Sequence, residues 1–159
     1  MATTADGVVA VLERIADAAR RSGDFGAVSV SGNRLECAVK ASAAPAAYRL
    51  EISAGRWWIS LVTPDRWLSH SVEADLLHTG DKLDELIEEE LAEVGYAGGK
   101  LGPFEHFRDD DKRFVFRSSI PVPTDAAGAA ASERALEQCL RAYEATFREL
   151  GDIEADDAE

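Results

Sequence analysis

The chain has 159 residues, 46% of them hydrophobic and 30% charged, and its 30 acidic against 17 basic residues give a formal net charge of −13. This length suits a single domain with one core, and the charge repels a phosphate backbone, with no basic stripe and interleaved aromatics to offset it locally, so nucleic acid is not expected as a partner. Cys37 and Cys139 are far apart and lack C-x-x-C spacing, which argues against a disulfide framework or a zinc site.

No apolar run approaches the roughly 20 residues of a membrane span. The start, "MATTADGVVAVLERIADAARR", carries acids and arginines where an export signal would be apolar. A cytoplasmic protein without membrane contact is expected. Thirteen arginines against four lysines, with abundant alanine, suggest a GC-rich bacterial origin.

Along the chain, Val8, Leu12, Ile15 and Ala19 recur at helical spacing, with Thr4 or Asp6 as cap and Gly23 as stop, and predict a helix over 6–21. "AVSVSGNRLECAVK" alternates on both sides of Gly32-Asn33, a dipeptide suited to a two-residue turn with positive φ at its first central position. That hairpin pairs Val30 with Leu35 and Val28 with Cys37, placing Cys37 on the apolar side. After the loop "ASAAPAA", a turn at Ala54-Gly55 pairs Ile52 with Trp57, Leu50 with Ile59 and Tyr48 with Leu61, so six apolar residues share one face. Arg49, Glu51, Ser53, Trp58, Ser60 and Val62 take the opposite face, because successive strand residues point to opposite sides. A further strand, "WLSHSV", follows "TPDR" and sets Leu68, His70 and Val72 on the core side, with Trp67 opposite.

Helix returns over 82–94, with Asp81 as cap, Leu83, Leu86, Ile87, Leu91 and Val94 on one stripe, an acidic outer face, and Gly95 at its end. "PFEHFRDDDKRFVFRSSIPVP" reads as a hairpin in which Phe104, Phe107, Phe114 and Phe116 supply bulk and Asp109 to Lys112 make the turn. The alanine-rich stretch 124–131 reads as a connection. A last helix over 132–150 has Leu136, Leu140, Tyr143, Phe147 and Leu150 as its apolar edge, with Glu137–Arg141 and Glu144–Arg148 pairs on its wet side. The tail "DIEADDAE" is too acidic and too poor in apolar residues to order itself. The expected architecture is α+β: one domain over 1–151 with an acidic tail at 152–159. Hairpins form a curved antiparallel β-sheet with flanking amphipathic helices, in the order α-β(several)-α-β-β-α.

Reactive motifs are weak. "GYAGGKLG" departs from a phosphate loop, since Val94 stands at its first glycine position, Leu101 follows Lys100, and a helix precedes it; a flexible connection is the simpler account. "RDDDKR" lacks the spaced acids, glycine and terminal glutamate of a calcium loop. Glu85, Glu88 and Glu89 form a solvated face that a basic partner could read. His70, His78 and His106 share no ligand spacing, and no nucleophile signature accompanies them. No catalytic residue, metal or cofactor is expected.

All three tryptophans lie within "WWISLVTPDRW". Trp57 faces the core, whereas Trp58, Val62 and Trp67 cluster on the opposite side. Two fully exposed indoles of about 150–250 Å² each would approach the patch size that soluble monomers seldom tolerate, so a cover is expected: the chain itself, or a second subunit or client.

The order of elements, the acidic leucine-bearing helix, "GPFEHFRDDDKRFVFRSSIPVP" and the closing amphipathic helix resemble the type III secretion chaperone-like superfamily, YbjN-type, a bacterial sensory transduction regulator family. The resemblance covers residues 6–150, with "SIPVP" before the last helix standing for the family's short apolar segment. It implies a homodimeric, protein-binding scaffold without catalysis, and it transfers no active-site residue. The expectation is therefore a non-enzymatic, chaperone-like or regulatory module that binds a basic or extended partner segment through apolar patches, with Trp58, Val62 and Trp67 as the partner or dimer surface. The alternative is a small-molecule binder or enzyme with a pocket between sheet and helices, where His70 and His106 are the first residues to test.

Overall fold

A computed structural model describes residues 4–39, 46–64, 83–96, 101–102, 105–108 and 113–148. Helix α1 (Thr4–Ser22) leads into β1 (Phe25–Ser31), β2 (Arg34–Val39), β3 (Ala47–Ser53) and β4 (Arg56–Thr63). Helix α2 (Leu83–Glu93), β5 (Glu105–Arg108), β6 (Phe114–Ile120), α3 (Ala126–Ala131) and α4 (Glu133–Arg148) complete the described elements. The six strands form one antiparallel sheet in the order β1-β2-β3-β4-β6-β5. The α+β class and the antiparallel sheet match expectation. The predicted strand over 67–72, Asp81, the turn at 109–112, Phe104 and the tail lie outside the described residues.

Both early hairpins keep the predicted register. Val30 pairs with Leu35 and Val28 with Cys37, and Ile52 pairs with Trp57, Leu50 with Ile59 and Tyr48 with Leu61. Gly32 supplies the positive φ of 60° that the first turn needs. The second turn needs it twice, at Gly55 and at Ala54, whose φ of 53° is unfavourable for a residue with a Cβ.

Side-chain alternation sorts the sheet into two faces. Toward the helices run rows such as Leu35, Leu50, Ile59 and Ser118, and Cys37, Tyr48, Leu61 and Phe116, in register across β2, β3, β4 and β6. These pack with Val8, Leu12 and Ile15 of α1, Ile87 and Leu91 of α2, and Leu136, Leu140, Tyr143 and Phe147 of α4 in one core. Each fully buried apolar side chain contributes roughly 1.5–3 kcal/mol. Two polar pairs enter this layer: Tyr143 OH and Ser118 Oγ lie 2.6 Å apart, and Trp57 Nε1 donates to the Pro123 carbonyl at 3.1 Å.

Helix ends follow local chemistry. At the end of α2, Tyr96 N donates to Leu91 O and Gly95 N to Ala92 O, with Gly95 at φ 78°, a Schellman closure that Gln138 of α4 reinforces by donating to Val94 O. Two expectations are corrected. Residues 126–131 are helix rather than a plain connection, because Asp125 caps them by accepting from Gly128 N at 2.6 Å and alanine has the highest helix propensity. Glu144 is 8% exposed and so leaves the wet side of the last helix.

Candidate functional site

The outer face, opposite the helices, is where the sequence places Trp58 and Val62, and both stand there. Neither belongs to the main core, yet each is only 5% exposed. The cover that two indoles would require is thus already present within the chain for Trp58. Its Nε1 donates to Ser53 O at 2.9 Å, and the Arg117 guanidinium lies 3.8 Å from its ring centroid. Val62 stands beside Val115, its cross-strand partner on β6, which is 7% exposed. Trp67, the third expected contact, is outside the described residues, as are His70 and His78.

Arg117 ties three strands together. Held over Trp58 of β4, it also lies 4.9 Å from the Phe107 ring of β5, and its Nε donates to Glu105 Oε1 at 2.9 Å. A guanidinium flanked by two rings and charge-paired at its edge is fixed in orientation as well as position. Phe107 is the exposed large hydrophobic among the described residues, at 37%. The four phenylalanines grouped as hairpin bulk in the sequence therefore separate. Phe116 is core, Phe114 is half-buried, and Phe107 faces outward because its partner is Val115.

All four residues of β5 are exposed, and the strand forms one end of the sheet. Its N-terminal approach is pinned where Gly102 N donates to Ser119 O at 2.9 Å. A Cβ at Gly102 would collide with Ser119 Oγ, so the last glycine of "GYAGGKLG" serves close backbone approach rather than flexibility.

His106, named in the alternative, projects to the helix side of β5. Its ring stacks on Phe116 at 3.9 Å, and its Nδ1 lies 3.0 Å from the Val115 carbonyl, to which it donates. Burial pushes the Cys37 thiol up to about 12, and likewise the Cys139 thiol, which Tyr96 contacts by a hydrogen bond that acts in the opposite sense. Both therefore carry little thiolate near neutrality. Glu85, Glu88 and Glu89 face solvent, and Glu89, Glu90, Ala92 and Glu93 line a shallow depression of about 560 Å³. Among the described residues no group of three or more His, Cys, Asp or Glu is placed to hold a metal ion, and no helix is long and apolar enough to cross a membrane.

No protein-family model, curated protein or solved structure matches the chain.

Proposed function

We propose that this protein is a non-enzymatic binding module of the chaperone-like kind, taking up an extended segment of a partner protein as an added strand along β5. The observation that carries the proposal is the exposed four-residue edge with Phe107 beside it, backed by the Trp58–Arg117–Phe107 stack. An open edge strand offers unpaired backbone donors and acceptors, and an adjacent ring gives a pocket wall for an alternate side chain. Trp58 and Val62, at 5% exposure, have little area left to offer, so their role here is to support the edge. The net charge of −13, with Asp109, Asp110 and Asp111 following β5 in sequence, favours a partner segment with basic residues.

The test is selection of peptides from a displayed library of unstructured sequences, followed by amide mapping of the bound protein by NMR. Selected peptides are expected to be extended and basic and to shift the amides of Glu105 to Arg108. Phe107→Lys, which puts a charge on the edge as natural edge strands do, is expected to weaken them at least about tenfold. Peptides that bind as helices, or that leave β5 unmoved, contradict the proposal; pairing of β5 with a second copy of the chain would show as dimerisation that Phe107→Lys abolishes.

A further inference from the structure

Backbone direction alternates along an antiparallel strand, so each residue turns its N–H and C=O toward one neighbouring strand or the other. Two bonds set that alternation from opposite sides of the sheet: Ile52 N donates to Asn33 O, toward β2, and Gly102 N donates to Ser119 O from the β5 side. Carried through the registers, the first turns the Trp57 backbone toward Ile120 and the Ser119 backbone toward β5, in agreement with the second. Arg117 and Val115 share the direction of Ser119, toward their partners Glu105 and Phe107. His106 and Arg108 therefore turn their backbone groups away from β6, along the edge where an added strand would lie.

The side chains divide by face. Glu105 and Phe107 stand on the outer face, His106 and Arg108 on the helix side. Residues of an added strand opposite Glu105 and Phe107 would form the non-hydrogen-bonded pairs, whose Cα atoms approach to about 4.5 Å and whose side chains come closest. Glu105 is already engaged, since its Oε1 accepts from Arg117 Nε at 2.9 Å. Phe107, at 37% exposure, offers an apolar neighbour. Arg108 is exposed, with its guanidinium 5.5 Å from the Phe114 ring centroid, and among the described residues no carboxylate pairs with it.

We infer that the segment taken up at β5 runs antiparallel and carries an acidic residue immediately before an apolar one, the acid opposite Arg108 and the apolar side chain against Phe107. The inference rests on strand uptake at β5 and names the chemistry of its partner. Antiparallel pairing continues the pattern of the whole sheet and is slightly more stable per residue than parallel pairing. A strand running that way meets Arg108 first and Phe107 second, whereas a parallel one would need the apolar residue first. The net charge of −13 still favours basic residues in the rest of the segment, and the acid is selected by position alone. A second copy of the chain does not supply this pair. Opposite residues of a continued sheet face the same side, and Glu105, the acid of β5, faces away from the side of Arg108. Two copies joined through β5 would leave Arg108 without an acid from that strand, so the occupant is a segment of a different protein.

Octapeptides with two lysines at each end and glutamate-isoleucine-threonine-valine between them are titrated into the full chain while the amides of Glu105 to Arg108 are followed by NMR. Saturable shifts there are expected. Exchanging the peptide's glutamate for glutamine acts through the long-range field as well as through Arg108, so the measurement is a cycle with Arg108→Gln. The preference for glutamate over glutamine is expected to fall about three- to fivefold in Arg108→Gln, the size of one cross-strand charge pair. The reversed order, valine-threonine-isoleucine-glutamate between the same lysines, should bind the parent about three- to fivefold more weakly at unchanged composition and charge. A preference unaltered by Arg108→Gln, while the β5 amides still shift, overturns the inference and leaves strand uptake standing. A reversed peptide that binds at least as tightly overturns the acid-first order. If no octapeptide shifts the β5 amides, strand uptake fails and this inference fails with it.

Discussion

The two ends of the sheet are treated differently. At β1 the edge is obstructed: Arg20 Nη2 of α1 donates to Val28 O at 3.1 Å, the register shifts between Phe25 and Val28, and the Phe25 ring meets Tyr48 edge-on at 5.9 Å, although Gly26, Ala27, Ser29 and Ser31 are exposed. Helix α1 packs along this strand. At β5 the side chains are exposed and the strand is short and regular in its pairing with β6. Irregular register and a covering helix are the usual means of blocking an edge against further strands. Among the described residues these devices stand at β1 and not at β5, which makes β5 the end at which the sheet can take a further strand.

That difference can be broken or sharpened by measurement. The largest effect concerns Cys37, one strand in from the obstructed edge. With its thiol raised from 9.0 to about 12, the thiolate fraction near pH 8 is roughly a thousandfold below that of a free cysteine. Alkylation in native buffer should accordingly be slower than in urea by at least that factor. Rapid native labelling would show that β1 opens as readily as an unguarded edge. The same shift acts on stability. Below the unfolded pKa near 9 both states keep the proton and nothing is lost; above it the unfolded thiolate is favoured while the folded thiol holds its proton. Stability should therefore be flat to about pH 8.5 and fall toward pH 12. Urea midpoints across that range check it.

Next comes the same residue type at the two edges. Phe25→Ala should cost about 3 kcal/mol, since Phe25 is 9% exposed and packed on Tyr48, whereas Phe107→Ala, at 37% exposure, should cost under about 1 kcal/mol. Equal costs in urea denaturation would erase the distinction between edges. Arg117→Met should destabilise by about 1 kcal/mol through loss of the ring stacking and the exposed ion pair, and should shift Trp58 fluorescence as the indole gains water. The smallest effect is expected from Arg20→Gln, about 0.5–1 kcal/mol, with faster amide exchange confined to β1.

Local chemistry explains which parts were legible in the sequence. Period-two alternation around Gly32-Asn33 and Ala54-Gly55 determines register, because the turn sets which residues meet; the two hairpins were therefore readable residue by residue. The pairing of β4 with β6, which leaves β5 at the end, joins segments about 57 residues apart by no local rule. Hence Trp58 could be assigned to the outer face but its cover, Arg117, could not be named. The outward turn of Phe107 was hidden for the same reason: a cluster of phenylalanines reads as core until the strand partner fixes their parity. Helix α3 was missed because an alanine run was weighed by composition while its cap, Asp125, went unread. The placing of Phe107 and Arg108 on the end strand is likewise a product of sheet order, and no spacing along the chain announces it.

Hydrogen exchange of the backbone amides, with and without a library-selected extended peptide, tests strand uptake at β5 most directly. Protection is predicted to rise at Glu105 to Arg108 and to stay unchanged along β1. Protection gained at Phe25 to Ser31 instead, or at neither strand while the peptide is bound, would contradict it.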